Sequence, residues 1–310
     1  MGLEESNAVK VCVVLPTYNG AKYLPFQLDS ILAQTYKNIE VYLRDDGSTD
    51  NTVGVIRDYA DRYPNIHFTE DNLGNLGCPK SFYQIIKAAP EYDYYAFADQ
   101  DDIWEIDKVQ RAVSQLGSCA PGNPAVYYAS FNYVDADGEF IRQAANQDPS
   151  TPFIRTLFYT PGLGFTIAFN RAACEKFILD VDTGEEMHDR WILRCGSAFG
   201  TVIYDPKPTA KHVRHKSAVT EGDNRRIDLV RHFINEELFG TKSKEESLKL
   251  AHFYDVFFDK LTKEQRDELR LFVNDKGALA RVRKVFYPRS LRPTLPGDLV
   301  LRILFLFGRA

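Results

Sequence analysis

The chain has 310 residues, 44% of them apolar, enough to bury the core of one large globular domain with an appendage or of two small domains. A formal net charge of −5 argues against nucleic acid as a main partner, because phosphate binding usually draws on a basic surface. Cys12, Cys78, Cys119, Cys174 and Cys195 are scattered, odd in number and without CxxC spacing, so they suggest neither a disulfide framework nor a zinc site and fit a reducing, cytoplasmic setting.

In chain order, MGLEESNAVK lacks the basic start and apolar stretch of a secretory signal, and no segment approaches the roughly 20 apolar residues that span a bilayer. Up to about residue 105, apolar runs then alternate with amphipathic stretches, as β-α-β units of a parallel sheet do. VCVVLP (11–16) predicts a strand, and the following stretch places Leu24, Leu28, Ile31 and Leu32 on one helical face. IEVYL (39–43) predicts the second strand, followed by a helix carrying Val53, Ile56, Tyr59, Ala60 and Tyr63. IHFTE (66–70), a helix over 79–89 and YYAFA (94–98) complete this half. The strands end in PTYN, RDDGSTD, EDNLGN and DQDD, which should converge on one crevice, since ligands of open α/β sheets lie beyond the strands' carboxyl ends.

A helix over about 107–116 follows, and then AVYYASFNYVD, GLGFTIAFNR and TVIYD predict strands of a mixed sheet, with MHDRWILRCGSA as a short helix between the last two. From about residue 225 the pattern is helical and charged: IDLVRHFINEELF, ESLKLAHFYDVFFDKL and TKEQRDELRLFVND. A boundary is placed near 222. Residues 281–310 hold seven Lys/Arg against one acid, Asp298, so this tail is +6 and the remainder −11.

In FADQDDIW, strand alternation sends Asp99 and Asp101 to the same side. Two hard oxygen ligands suit Mg²⁺ or Mn²⁺, which keep waters and complete their shells from substrate phosphates. The plainer reading makes Asp102 a helix cap and the others solvated loop acids. RDDGSTD reads as a turn with Gly47 available for positive φ and Ser48, Thr49 or Asp50 as the helix cap; one of Asp45 and Asp46 could also accept a hydrogen bond from a nucleotide base.

PTYNGAKYLPFQLDSILAQT, RDDGSTDNT, NLGCPKSF, ADQDDIW, MHDRW and RHKSAVTEG, in this order and spacing, resemble the family-two glycosyltransferases of the GT-A fold. DQDDIW with the later MHD-W resembles bacterial rhamnosyltransferases that build cell-surface polysaccharides. The resemblance covers about residues 10–222. It implies an α/β catalytic domain over 1–222, a Rossmann-like mixed sheet flanked by helices, with a nucleotide-sugar half (10–105), an acceptor half (106–222) and a C-terminal helical region (223–310).

Carried over by position, the resemblance implies that Pro16, Tyr18, Asn19, Asp45 and Asp46 frame the nucleotide, with Asp46 meeting the base N–H. Asp101 matches the main metal ligand and Asp99 its helper towards ribose or metal. His215 matches a metal or diphosphate contact, with His212 and Arg214 as weaker candidates. Lys80 lies where an ammonium could meet a phosphate, in a loop shaped by Asn75 and Gly77. Asp189 matches the catalytic base, which takes the proton of an acceptor hydroxyl while the sugar is displaced in line, with inversion. His188 could orient that base or contact the acceptor. Trp104 and Trp191 offer faces on which a sugar could pack, although core packing is the plainer reading for at least one of them.

The chain departs from the rhamnosyltransferase pattern where Arg190 follows MHD and where His212, Val213 and Ala218 replace a Tyr-Arg-x-His segment and its Asn. Arg190 could meet an anionic acceptor or the diphosphate. The implied reaction moves L-rhamnose from dTDP-L-rhamnose to a growing or lipid-linked glycan. A UDP-hexose transferase on the same fold, or a silent scaffold of a polysaccharide assembly, are the competing readings. Keeping Asp46, Asp99, Asp101 and Asp189 together speaks against the scaffold. The tail LPGDLVLRILFLFGR suits either docking at the inner face of an anionic membrane or packing on the catalytic domain. A homodimer is also compatible with the sequence.

Overall fold

The computed structural model describes residues 9–144, 152–214, 242–275 and 277–308. The first half runs β1 (Val11–Thr17), α1 (Leu24–Leu32), β2 (Ile39–Asp45), α2 (Thr52–Arg62), β3 (Ile66–Phe68), α3 (Lys80–Ala88) and β4 (Tyr94–Phe97). There follow β5 (Asp102–Trp104), α4 (Lys108–Leu116), β6 (Ala125–Val134), β7 (Phe140–Gln143), α5 (Phe153–Thr156), β8 (Ile167–Asn170), α6 (Arg171–Cys174), α7 (His188–Phe199) and β9 (Thr201–Val213). The C-terminal helices are α8 (Lys242–Phe257), α9 (Lys263–Val273), α10 (Ala278–Val285) and α11 (Leu295–Leu306). The helix expected over 227–239 and His215 lie outside the described residues.

All the strands join one mixed sheet in the order β3-β2-β1-β4-β8-β6-β9-β5, with β7 pairing on β6. β1 pairs in parallel with β2 and β4, and β2 with β3, whereas β8 runs antiparallel to both β4 and β6. β1 is buried on both faces, as its solid apolar run requires, and its alternate side chains enter different cores. Val11, Val13 and Leu15 join Leu24, Leu28 and Ile31 of α1, while Cys12 and Val14 face Phe82, Ile85 and Ile86 of α3.

The second of these cores continues without a break into the C-terminal helices. Trp191 is 0% exposed, donates its indole N–H to the Phe177 carbonyl at 2.6 Å and packs on Phe253 and Phe257 of α8. Trp104 is buried in the other core, against the α1 side of the sheet. Both tryptophans are therefore core residues, and the expectation that they form a sugar platform is corrected: no ring face is left for a ligand. Two of the strands, β5 and β7, are not predicted by the sequence pattern. Trp104 sits in β5, a strand of three residues, and β7 is a short exposed hairpin partner of β6.

Candidate active site

The crevice forms at the carboxyl edge of β1, β2 and β4, where hydrogen bonds lock the predicted loops together. The Tyr18 N–H donates to Gln100 Oε1 and Gln100 Nε2 donates to the Tyr18 carbonyl, both at 2.9 Å, so the residue between the two acids clamps the loop after β1. A Cβ on Gly20 would lie 2.1 Å from Gln100 Oε1, so only glycine leaves room for this clamp. The Asn19 N–H donates to Ser48 Oγ at 2.8 Å, and Asn19 Oδ1 accepts from the Thr49 N–H at 2.8 Å, joining the loops after β1 and β2. Pro16 is half-buried beside them, while Tyr18 is 49% exposed.

Beneath these loops lies a buried charge network absent from the sequence reading. Arg44, at the end of β2, pairs with Asp46, donates to Asp71 from Nε at 2.9 Å, to Ser81 Oγ at 2.9 Å and to the Gly74 carbonyl at 2.6 Å. Asp46 is 5% exposed and also accepts from the Leu76 and Gly77 N–H groups, each at 2.7 Å. Burial pushes its carboxyl up, but the Leu76 N–H, Ser81, Arg44 and the Gly77 N–H outweigh it and hold the group below the usual carboxylate range. Asp46 thus anchors the NLGCP loop; its Oδ2, bonded only by Gly77, keeps acceptor capacity for a ligand. Asp45 is occupied locally, accepting from Ser48 and the Gly47 N–H.

The other wall carries Asp99, Asp101 and Asp189. Burial, then the charges of Asp102, Asp101 and Asp189, raise Asp99 well above the carboxylate range. Carboxylates that crowd one another in this way are the donor set a hard divalent cation would relieve. Among the described residues no three His, Cys, Asp or Glu side chains come together as a complete metal site. β4 ends at Phe97, so Asp99 and Asp101 lie in the turn before β5 rather than alternating along a strand, and that turn is where two carboxylates could hold an ion that takes its remaining ligands from a diphosphate.

Asp189 occupies the first turn of α7, where the helix dipole favours an anion, and burial raises its pKa against the lowering effect of the Arg190 N–H and guanidinium. His188, just before it, is buried: its ring stacks on Phe82 at 3.8 Å between centroids and meets Phe97 edge-on. Burial lowers its pKa to about 3, so it is neutral at physiological pH. This corrects the acceptor-contact expectation for His188, whose ring is instead wedged between Phe82 and Phe97 at the start of α7. A Cβ on Gly164 would fall 2.2 Å from His188 Nε2, and the ring is held by two aromatics. Gly164→Ala is therefore expected to cost about 1–3 kcal/mol by urea unfolding, and to reduce turnover as well through the displaced α7 start.

Three other expected site residues are already engaged. Lys80 pairs with Glu185 at 2.7 Å, with both side chains largely exposed, a contact that a phosphate can readily exchange. Arg190 is taken by Glu246 of α8 and by Thr160 Oγ1 at 3.0 Å, so the C-terminal helices reach the site's edge. His212 pairs with Asp102 at 2.7 Å and stacks on Phe165, tying β9 to the base of the DQDD loop. Asp102, read as a helix cap, is instead the first residue of β5. Burial pushes the Cys78 thiol, followed by the charges of Asp99, Asp189 and Asp46, up to about 12. Beside Arg190 a cavity of about 300 Å³ opens between β6 and the 159–163 loop, lined by Tyr133, Arg142, Tyr159 and Thr160.

A half-parallel mixed sheet flanked by helices, with loops that converge on acidic residues at its carboxyl edge, has the architecture of the GT-A glycosyltransferases. The chain belongs to glycosyl transferase family 2, whose sequence profile matches residues 12–180. It is 37% identical over 219 residues to the dTDP-rhamnosyl transferase RfbG of Shigella flexneri, covering 66% of this chain and 72% of that one. An uncharacterized glycosyltransferase of Nostoc is 27% identical over 253 residues, 74% of this chain and 76% of the relative. Among solved structures, S. aureus TarS 1-349 in complex with UDP-GlcNAc aligns with a TM-score of 0.59 at 16% identity, over 97% of this chain and 82% of that one. A mannosyltransferase from Pyrobaculum calidifontis in complex with GDP-Man and Mn²⁺ aligns at 0.52 and 17% identity, over 96% and 80%. These two likenesses establish the fold.

Proposed function

We propose that the chain is an inverting, divalent-metal-dependent rhamnosyltransferase that uses dTDP-L-rhamnose and extends a cell-surface or lipid-linked glycan. The observation that carries this reading is the place of Asp189: a buried carboxylate in the first turn of α7, near enough to Asp99 for its charge to act on that group. The likeness to a dTDP-rhamnosyl transferase supports the choice of donor.

In this reading the pyrimidine packs on Tyr18 and its N–H meets Asp46 Oδ2, while Asp99 and Asp101, with His215, hold Mn²⁺ or Mg²⁺. The ion supplies charge neutralisation for the departing nucleoside diphosphate. The acceptor enters the cavity beside β6, with its hydroxyl towards Asp189. Asp189 accepts that proton as the new glycosidic bond forms on the face opposite the leaving group, so one displacement inverts the anomeric carbon.

A panel of nucleotide sugars, screened with Mn²⁺ for thermal stabilisation and then for turnover, tests the donor, since a ligand of the native state raises its melting point. dTDP-L-rhamnose is expected to lead on both measures. If UDP-hexoses alone stabilise the chain and are consumed, the rhamnose assignment is wrong. Asp101→Ala and, separately, chelation are expected to abolish both the Mn²⁺-dependent thermal shift and release of nucleoside diphosphate; persistence of turnover under chelation would remove metal from the mechanism.

A further inference from the structure

The cavity of about 300 Å³ beside β6 has walls that lead to both sides of the crevice. On one wall Tyr133 is the neighbour of His212 across the sheet, with ring centroids 5.6 Å apart, and His212 holds Asp102, the residue after Asp101. On the other, Thr160 accepts a hydrogen bond from Arg190, the residue after Asp189. A molecule in the cavity is thus bounded by the loop that carries Asp101 and by the helix that carries Asp189.

Of the described residues that line this cavity, Arg142 alone is charged. The hairpin register puts it there: Arg142 of β7 is the cross-strand partner of Tyr133 of β6, and its guanidinium lies 3.9 Å from the centre of that ring. Among the described residues no acid and no hydrogen-bond acceptor engages this guanidinium. The ring beneath it fixes its plane, while the N–H groups along its edge stay open. Arg214, just past β9, lies 6.0 Å from the same ring, and its guanidinium likewise has no acidic partner among the described residues. Nearby cations differ: Arg190 is taken by Glu246, and Lys211 faces Glu105 at 3.9 Å. All four residues of β7 are exposed, so burial of apolar surface does not account for the strand. An open guanidinium fork matches an oxyanion, carboxylate or phosphate, which it can hold through two parallel hydrogen bonds. Asp99, Asp101 and Asp189 would repel such a group, so an anionic molecule needs a cation at this place to approach them.

We propose that the acceptor is an anionic glycan whose carboxylate or phosphate is held by Arg142 over the Tyr133 ring, with Arg214 adding charge. The inference rests on the reading of this cavity as the acceptor site. Its test is calorimetric titration of the full chain, with dTDP and Mn²⁺ filling the donor site, by methyl β-D-glucuronide, by glucose 1-phosphate and by the neutral methyl β-D-glucoside. At least one of the two anions is expected to bind about tenfold more tightly than the glucoside, with the preference weakened by high salt. A lead for the glucuronide identifies an acidic sugar, and a lead for glucose 1-phosphate a phosphorylated glycan. Arg142→Gln should lose the preference, and a melting temperature near wild type shows that it folds. No preference for either anion in wild type, or the same preference in Arg142→Gln, overturns the proposal. So does loss, in the variant, of the thermal shift by dTDP-L-rhamnose and Mn²⁺, which would make Arg142 a donor contact. Slow release of nucleoside diphosphate by wild type, with water as acceptor and the donor that leads the nucleotide-sugar panel, separates the two failures. Its absence would sink the transferase reading and this inference with it, whereas release without an anion preference sinks the acceptor class alone.

Discussion

Asp189→Asn is expected to lower turnover by about 10²- to 10⁴-fold, the usual contribution of a positioned general base, with donor binding unchanged. Asparagine keeps the size and the hydrogen bond from the Arg190 N–H but cannot take a proton, so the loss should fall on kcat and leave the Mn²⁺-dependent thermal shift by donor intact. Because burial raises the Asp189 carboxyl, the acid limb of the wild-type rate profile should lie above the ordinary aspartate range, with activity falling as pH drops through it. The variant should lose that limb. Wild-type turnover in Asp189→Asn would show that another group takes the proton.

Arg44→Met is the substitution with the largest expected effect on stability. The guanidinium is 1% exposed and holds Asp46, Asp71, Ser81 and the Gly74 carbonyl together. Removing it leaves a buried carboxylate without its counter-charge, which typically costs about 3–5 kcal/mol. Urea unfolding at neutral pH is the measurement. Asp46 and Asp71 are both held below the ordinary value, so the stability they contribute is present above their unfolded pKa of about 3.9 and is lost as pH falls through their folded values. The difference between wild type and Arg44→Met should accordingly shrink in acid. The variant's donor binding should also weaken, since Asp46 positions the loop over 74–79 through Leu76 and Gly77.

Much of the architecture was legible because periodicity reports local burial. The apolar run at 11–16, the helical spacing of Leu24, Leu28 and Ile31 and the amphipathic stretch from Met187 all correspond to elements of the structure. What escaped was decided by distant partners. A three-residue strand such as Asp102–Trp104 has no period to detect and exists because it pairs with β9 over 210–212. Arg44, a lone charge ending an apolar strand, carried a visible signal, since a cation there needs buried acids around it. Gln100 carried none beyond its place between two acids.

The sequence by itself determined most of the order of strands and helices and the family, because these depend on residue type and short-range spacing. Only the tertiary structure decided which side chains were already committed. Trp104, Trp191 and His188 were drawn into the cores and Arg190 was paired with Glu246 of a helix more than fifty residues away, whereas Asp46 became the anchor of a neighbouring loop through its Oδ1 and kept acceptor capacity on Oδ2. The physical reason is that burial and pairing depend on surfaces brought together across the whole chain. A buried ring or a charge that has met its partner is no longer free for a ligand, and nothing in its sequence neighbourhood records that meeting.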